Sequence, residues 1–201
     1  MKKKILLVGG NGTIGQHVKK GLKDHFVLVA GRSKGDFIID ISDIESIVTA
    51  FDEIGKVDAI VCIAGEAKWA LMSEMKEEDY YIGIKSKLMG QVNLTRIGVN
   101  YLNPGGSITL STGILAEDPV LMTTSAAMVN GAIHSFVKAV SLELKNEKRI
   151  NVVAAGLVEA AAEAYTQFFP GHNRVPMNRV TNAYIKGILG SHSGKIIRAY
   201  Q

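Results

Sequence analysis

Short runs of wholly apolar residues alternate along this chain with longer stretches in which apolar positions recur every three to four residues. Residues 5–8, 26–30, 37–39, 59–63, 107–110, 150–154 and 195–199 are short and rich in aliphatic and β-branched side chains, and they predict strands. Residues 14–23, 42–53, a long region ending at Leu102, and residues 125–145, 159–168 and 180–189 predict helices. Ser42-Asp43-Ile44-Glu45 has the spacing of a capping box at the second helix. Pro104, Pro119, Pro170 and Pro176 fall between the periodic segments, where helix and strand breakers belong. Strands apolar on both faces and alternating with helices predict a doubly wound α/β domain with a parallel sheet covered on both sides. Only seven residues separate Val29 from Phe37, too few for a helix between the second and third strands. In such a sheet a ligand lies beyond the carboxyl ends of the strands, where strand order reverses.

Composition narrows the function classes. The chain has 201 residues, 47% of them apolar and 21% charged, as expected of one ordinary globular domain spanning residues 1–201. No apolar stretch reaches the roughly 18 residues of a membrane span. Lys2-Lys3-Lys4 precedes a short apolar run that breaks at Gly9-Gly10-Asn11, so no cleavable leader is expected. The single cysteine, Cys62, excludes an internal disulfide and the common zinc patterns, and a reducing cytoplasmic setting is expected. The net charge of +4 is scattered and aromatics are only 6%, which argues against nucleic-acid binding. A mildly basic surface suits a phosphorylated small ligand.

The chemistry begins after the first strand. Gly9-Gly10-Asn11-Gly12-Thr13-Ile14-Gly15 places glycines at 9, 12 and 15 between a buried strand and a helix. A glycine-rich turn lets the backbone approach a pyrophosphate, and the helix N-terminus supplies free N–H groups and a partial positive charge. A dinucleotide loop is the reading preferred over a purely structural turn. A Walker loop is excluded, because no Gly-Lys-Ser/Thr closes the motif. Arg32, with Ser33 beside it, follows the second strand, where an acid would bind the ribose of NAD and a cation accommodates the 2′-phosphate of NADP. NADP(H) is the expected cofactor. Asp40 is placed to accept from the adenine amino group or to serve as a turn residue before the next helix.

These motifs, taken in order, resemble the short-chain dehydrogenase/reductase family over nearly the full chain. Gly9 to Gly15 resembles its cofactor loop, and Ala30-Gly31-Arg32 the second strand end of NADP-preferring members. Ile39-Asp40-Ile41 resembles the adenine-side turn, and Ile63-Ala64-Gly65 the end of the Asn-Asn-Ala-Gly turn. Gly106 to Thr112 resembles the strand carrying the catalytic serine, and Phe136 to Leu144 the tail of the catalytic helix. Arg149 to Gly156 resembles Arg-x-Asn-x-x-x-Pro-Gly, with Ala155 in place of the proline. The resemblance implies a Rossmann-like fold. It also implies a cofactor site built from Gly9, Asn11, Gly12, Thr13, Ile14, Gly15, Arg32, Ser33, Asp40, Ile41, Ala64, Gly65, Asn130, Gly156 and Val158.

The family's catalytic residues carry over poorly. Ala126 falls at the tyrosine position, Asn130 at the lysine, Thr112 at the serine with Ser111 beside it, and Lys87 at the asparagine. Tyr81-Ile82-Gly83-Ile84-Lys85 does spell Tyr-x-x-x-Lys, but it follows the fourth strand and is read as helix surface or subunit interface. Lys87, Thr112 and Ser111 are therefore the catalytic candidates. Lys87 would act either as an acid/base with a depressed pKa or as the cation that the absent helix lysine would supply. His134, one turn beyond Asn130, is read as a buried or interface histidine, and His172 and His192 have no suggested partner. Tyr165, Phe168, Phe169 and Pro170 would either cover a small apolar substrate or plug the core.

The expected function is NADP(H)-dependent reduction or oxidation of a small carbonyl or alcohol. The alternative is a catalytically degenerate NADP(H)-binding sensor or partner-binding protein. A sugar-nucleotide epimerase, which shares the glycine spacing, needs a larger substrate domain than the 45 residues after Gly156 provide. The resemblance also implies a homodimer or homotetramer. The long helices carry small residues, Gly83, Gly90, Gly98, Ala132 and Ser135, that would let subunits pack closely.

Overall fold

Ile5 and Leu7 project to one side of the first strand, Leu6 and Val8 to the other, and both pairs are fully enclosed. The structure, a computed structural model, describes residues 1–200. Among them, β1 (Lys4–Val8), β2 (Phe26–Gly31), β3 (Phe37–Ile38), β4 (Val57–Cys62), β5 (Leu102–Gly113), β6 (Arg149–Ala155) and β7 (Ile196–Arg198) form one sheet. All its pairings are parallel, in the order β3-β2-β1-β4-β5-β6-β7. The order reverses between β1 and β4. Helices α2 (Ile44–Ile54), α4 (Gly90–Gly98) and α5 (Thr124–Glu143) cover the face of Leu6, Ile60, Ile108 and Val152. Helices α1 (Thr13–Gly21) and α7 (Met177–Leu189) cover the face of Ile5, Leu7, Val61 and Val153. Each enclosed aliphatic side chain contributes about 1.5–3 kcal/mol, so the strand runs read as unbroken apolar segments because both faces need them.

The predicted elements are present, with informative differences. Residues 32–36 form no helix; the turn is held by Val29 N–H donating to the Asp36 carboxylate at 2.8 Å and by the Asn11 amide donating to Lys34 O at 2.9 Å. Asp43, not Ser42, caps α2, accepting from Glu45 N–H at 3.0 Å. The Ser42 hydroxyl instead donates to Asp40 at 2.6 Å, which removes it from the capping role. The region 159–168 is not one helix. It divides into a 3₁₀ turn (Glu159–Ala161), α6 (Ala162–Tyr165) and a second 3₁₀ turn (Thr166–Phe168). The long region before β5 is likewise broken: α3 (Glu77–Gly83) passes through a π-helical segment, Ile84–Met89, before α4.

The glycines expected to serve subunit contacts pack inside the chain instead. A Cβ at Gly90 would lie 2.8 Å from Ile41, and one at Gly83 would lie 3.2 Å from Ala67 and Ser125. A Cβ at Gly98 would lie 2.6 Å from Ile60 Cδ1 and 2.9 Å from Phe51, a ring stacked on Tyr101 at 4.9 Å. Gly98→Ala gains at most about 1 kcal/mol of helix propensity. Overpacking two fully enclosed side chains costs about 1–3 kcal/mol. The substitution is expected to lower the urea midpoint of unfolding; an unchanged or raised midpoint would show that the α4 seam yields without cost.

Candidate active site

The carboxyl ends of β1, β2, β4, β5 and β6 open onto two adjoining cavities that meet at Gly65 and Glu66. The smaller, about 300 Å³, is lined by Gly9, Gly31, Arg32, Asp40, Ile41 and Ala64 among others. The larger, about 760 Å³, is lined by Ile14, Lys87, Thr112, Asn130, Gly156 and Val158 and capped by aromatic side chains.

The glycine loop is a backbone-on-backbone contact. Gly9 has φ +83°, and a Cβ there would stand 2.3 Å from Ile63 O; a Cβ at Gly15 would stand 2.2 Å from Gly9 O. Those two glycines are demanded by the chain itself. Gly12 is different. A Cβ there would meet only Gly9 O, at 3.4 Å, so the protein alone does not require a glycine. Gly12 is also the N-cap of α1 and offers no side chain to the first N–H groups of that helix. The result is an open cradle of unsatisfied donors at a helix N-terminus, the chemistry that takes a phosphate. Asn11 does not face the cradle with its amide, which is spent on Lys34 O, and Thr13 and Ser33 are exposed and line neither cavity.

Arg32 is exposed and sits 3.9 Å from Glu66 across the mouth of the smaller cavity. Such an exposed pair contributes little and leaves the guanidinium free to turn to a phosphate. Asp40 accepts from both the hydroxyl and the N–H of Ser42; these bonds hold its carboxyl below the ordinary range and keep it an acceptor.

Lys87 and Thr112 meet at the larger cavity. Lys87 lies in the π-helical segment, so the 100° per residue of a regular α-helix does not describe its direction. Lys85 is exposed, over the Tyr81 ring at 5.8 Å, whereas Lys87 lines the cavity. Gly65, with φ +107°, makes room, because a Cβ there would lie 2.7 Å from Lys87 Cα. Burial pushes the Lys87 ammonium pKa down. Ala126 leaves a gap at the wall, and Asn130 Oδ1 is buried with no hydrogen-bond partner among the described residues. An orphaned acceptor on a cavity wall fits a ligand hydroxyl.

Ser111, expected as a catalytic candidate, does not line the cavity. Its hydroxyl bonds Cys62 O at 2.5 Å and the Tyr184 hydroxyl at 2.6 Å, on the α7 side of the sheet and away from the cavity. Gln91, buried on α4, exchanges hydrogen bonds with the Ser111 backbone at 2.9 and 3.0 Å and pins the end of β5. His134 is buried as read, but it has a specific partner: its Nε2 lies 2.8 Å from Thr112 Oγ1. Its Nδ1 faces Glu117 at 3.9 Å, and Glu117 accepts from Arg198 and from the Tyr200 hydroxyl. Glu117, Arg198 and Tyr200 carry no motif and were invisible in the sequence.

Trp69 gathers Tyr165, Phe168 and Phe169 around it at ring-centroid distances of 5.6, 6.0 and 6.3 Å. The two readings of these aromatics therefore merge: they pack on one another and roof the cavity. His172 finds Asp118 at 3.0 Å and ties the roof to the loop after β5.

A family model described as enoyl-(acyl carrier protein) reductase matches residues 26–185. The protein lin1944 from Listeria innocua has a structure similar to this one, with 41% identity, a TM-score of 0.96, and coverage of 98% of this chain and 99% of that one. The crystal structure of a small-chain dehydrogenase in complex with NADPH is similar at 29% identity and a TM-score of 0.87, covering 98% and 96% of the two chains. The 3-oxoacyl-[acyl-carrier-protein] reductase of Thermotoga maritima is 27% identical over 130 residues, which are 61% of this chain and 53% of that one. The chain spans about half the length of the curated relatives it matches.

The contrast between two glycines is testable. Gly12 has φ −77°, which any residue adopts, so Gly12→Ala is expected to keep wild-type stability within about 0.5 kcal/mol yet weaken NADPH binding. Gly15→Ala is expected to lower thermal stability and binding together. Calorimetric melting beside an NADPH titration separates them, and Gly12→Ala with unchanged affinity would remove the phosphate reading of the cradle.

Proposed function

The chain belongs to the short-chain dehydrogenase/reductase family, and on that premise we propose that it is an NADP(H)-dependent oxidoreductase of a small carbonyl or alcohol, built as one cofactor-binding domain. The observation that carries the proposal is the pair of cavities adjoining at Gly65, one beside the phosphate cradle and Arg32, the other beside Lys87 and Thr112. The NADPH complex of the relative at 29% identity supports the same cofactor here.

The residues present fit that group. Gly9, Gly12 and Gly15 with the α1 N-terminus would hold the pyrophosphate, Arg32 the 2′-phosphate and Asp40 the adenine amino group. Asn130 would take a ribose hydroxyl with its orphaned oxygen. Bound there, the nicotinamide gives or takes a hydride. The chain must orient the substrate oxygen and handle its proton. Thr112 presents a hydroxyl to that oxygen, and Lys87, its pKa lowered by burial, exchanges the proton. The aromatic roof around Trp69 excludes water and selects a small apolar body around the reacting group. Tyr81, Ile82, Met89 and Met128 are exposed on α3, α5 and the π-helical segment, and they support association into a homo-oligomer through that side.

Trp69 beside the larger cavity gives a direct binding assay by fluorescence. NADPH is expected to bind more tightly than NADH, and Arg32→Ala to weaken NADPH by roughly 10- to 100-fold while leaving NADH nearly unchanged. Equal affinities in the wild type would remove Arg32 from the 2′-phosphate. Lys87→Ala is expected to cut turnover of a carbonyl panel by at least about 100-fold with NADPH binding retained; full turnover would show that another group moves the proton.

A further inference from the structure

The polar array behind Thr112 leads from the cavity wall to the surface and has no part in the mechanism so far. Thr112 Oγ1 lies 2.8 Å from His134 Nε2 and 3.3 Å from Val153 O. His134 Nδ1 points at Glu117, which is fixed by two hydrogen bonds from Arg198 and one from Tyr200. Those bonds, led by Arg198, hold the Glu117 carboxyl down to about 2, so it is a permanent anion. A bare Nδ1 lone pair facing a carboxylate is repelled, so a neutral His134 carries its proton on Nδ1 and leaves Nε2 an acceptor.

A threonine hydroxyl has one proton, and the state of Nε2 decides where it goes. We propose that His134 sets the hydrogen-bond polarity of Thr112 toward the substrate oxygen. With His134 neutral, Thr112 donates to Nε2 and presents only lone pairs to the cavity. With His134 protonated, Nε2–H donates to Thr112, whose own proton then points to the cavity or to Val153 O, which suits a carbonyl oxygen that must be polarised. His134 is thus a positioning residue: its protonated form completes the polarising donor, and the same form serves the reverse reaction, because both directions cross one transition state. Lys87 keeps the proton transfer itself. The inference rests on the oxidoreductase reading for its catalytic consequence, but the coupling of His134 to Thr112 stands on the geometry alone.

The charged groups facing His134 are Glu117 from the loop after β5, Arg198 at the end of β7 and Lys138 on its own helix. Burial lowers the His134 pKa, Arg198 and Lys138 act in the same direction, and Glu117 opposes them. The sign follows: the protonated fraction falls as pH rises through a midpoint below the ordinary histidine value. Carbonyl reduction is expected to lose efficiency over that range, by up to about tenfold per pH unit above the midpoint.

Two measurements test this. The first needs no turnover. Long-range proton–nitrogen NMR of the cofactor-free protein, with His134 assigned by its loss in His134→Gln, should show the Nδ1–H tautomer at neutral pH and a titration below the ordinary value. Glu117→Gln, a milder change at the surface, should move that midpoint lower still. An Nε2–H tautomer, or a midpoint insensitive to Glu117→Gln, would overturn the inference. The second is the pH dependence of kcat/KM for reduction between about pH 5 and pH 8. The falling limb should vanish in His134→Gln, whose amide does not titrate, and shift to lower pH in Glu117→Gln. Should His134→Gln fail to fold, Glu117→Gln carries both readouts. A limb identical in the variants overturns the inference and leaves the oxidoreductase reading intact. The NMR coupling present with no carbonyl turned over supports the inference and overturns that reading.

Discussion

The contact of Gly9 against Ile63 O and of Gly15 against Gly9 O fixes how β1, α1 and β4 meet, and the site depends on it. No side chain fits at either position, so strand, turn and helix approach at backbone distance. That closeness brings the first N–H groups of α1 to the crevice opened by the reversal of strand order. It also sets Gly65, a few residues beyond β4, against Lys87, so the phosphate cradle and the reacting end of the site share one wall.

A second constraint is the alternation of side chains along β5. Ser111 and Thr112 are neighbours, yet one points to α7 and the other to α5. Ser111 is consumed by Cys62 O and Tyr184, and Gln91 fastens its backbone. Thr112 keeps a hydroxyl at the cavity wall and reaches back to His134. The rigid side of the strand thereby holds the reactive side in place. Buried polar groups are costly unless bonded, and nearly all of those at the end of β5 are. Thr109 Oγ1, Ser125 Oγ and Asn130 Oδ1 are buried without a partner among the described residues, and of these Asn130 lines the cavity, where a ligand hydroxyl would satisfy it.

On the proposed reading, the departures from the family pattern compensate one another physically. Ala126 and Asn130 remove a phenol and a cation from α5, while Lys87 brings a cation to the same cavity from the π-helical segment. The wider turn of that segment and the left-handed Gly65 opposite it give the lysine its space. The aromatic roof is assembled from Trp69 and the broken segment 159–169, elements distant in sequence that cannot bury their rings separately.

Local chemistry made the fold and the glycine turn after the first strand legible in the sequence. Strand apolarity follows from two-sided burial, and Gly9 and Gly15 follow from backbone contacts made within and beside one turn. The limits were local too: a capping box over-read at Ser42, one helix expected where three short turns form, and glycines assigned to a subunit contact that pack internally. Only the tertiary structure separated Ser111 from Thr112 and linked His134 to Glu117, Arg198 and Tyr200. Those contacts join residues up to 83 positions apart, and the energy that selects them arises when β5, α5 and the end of the chain pack together. No sequence period records a pairing of that kind, because each member alone is an ordinary polar residue.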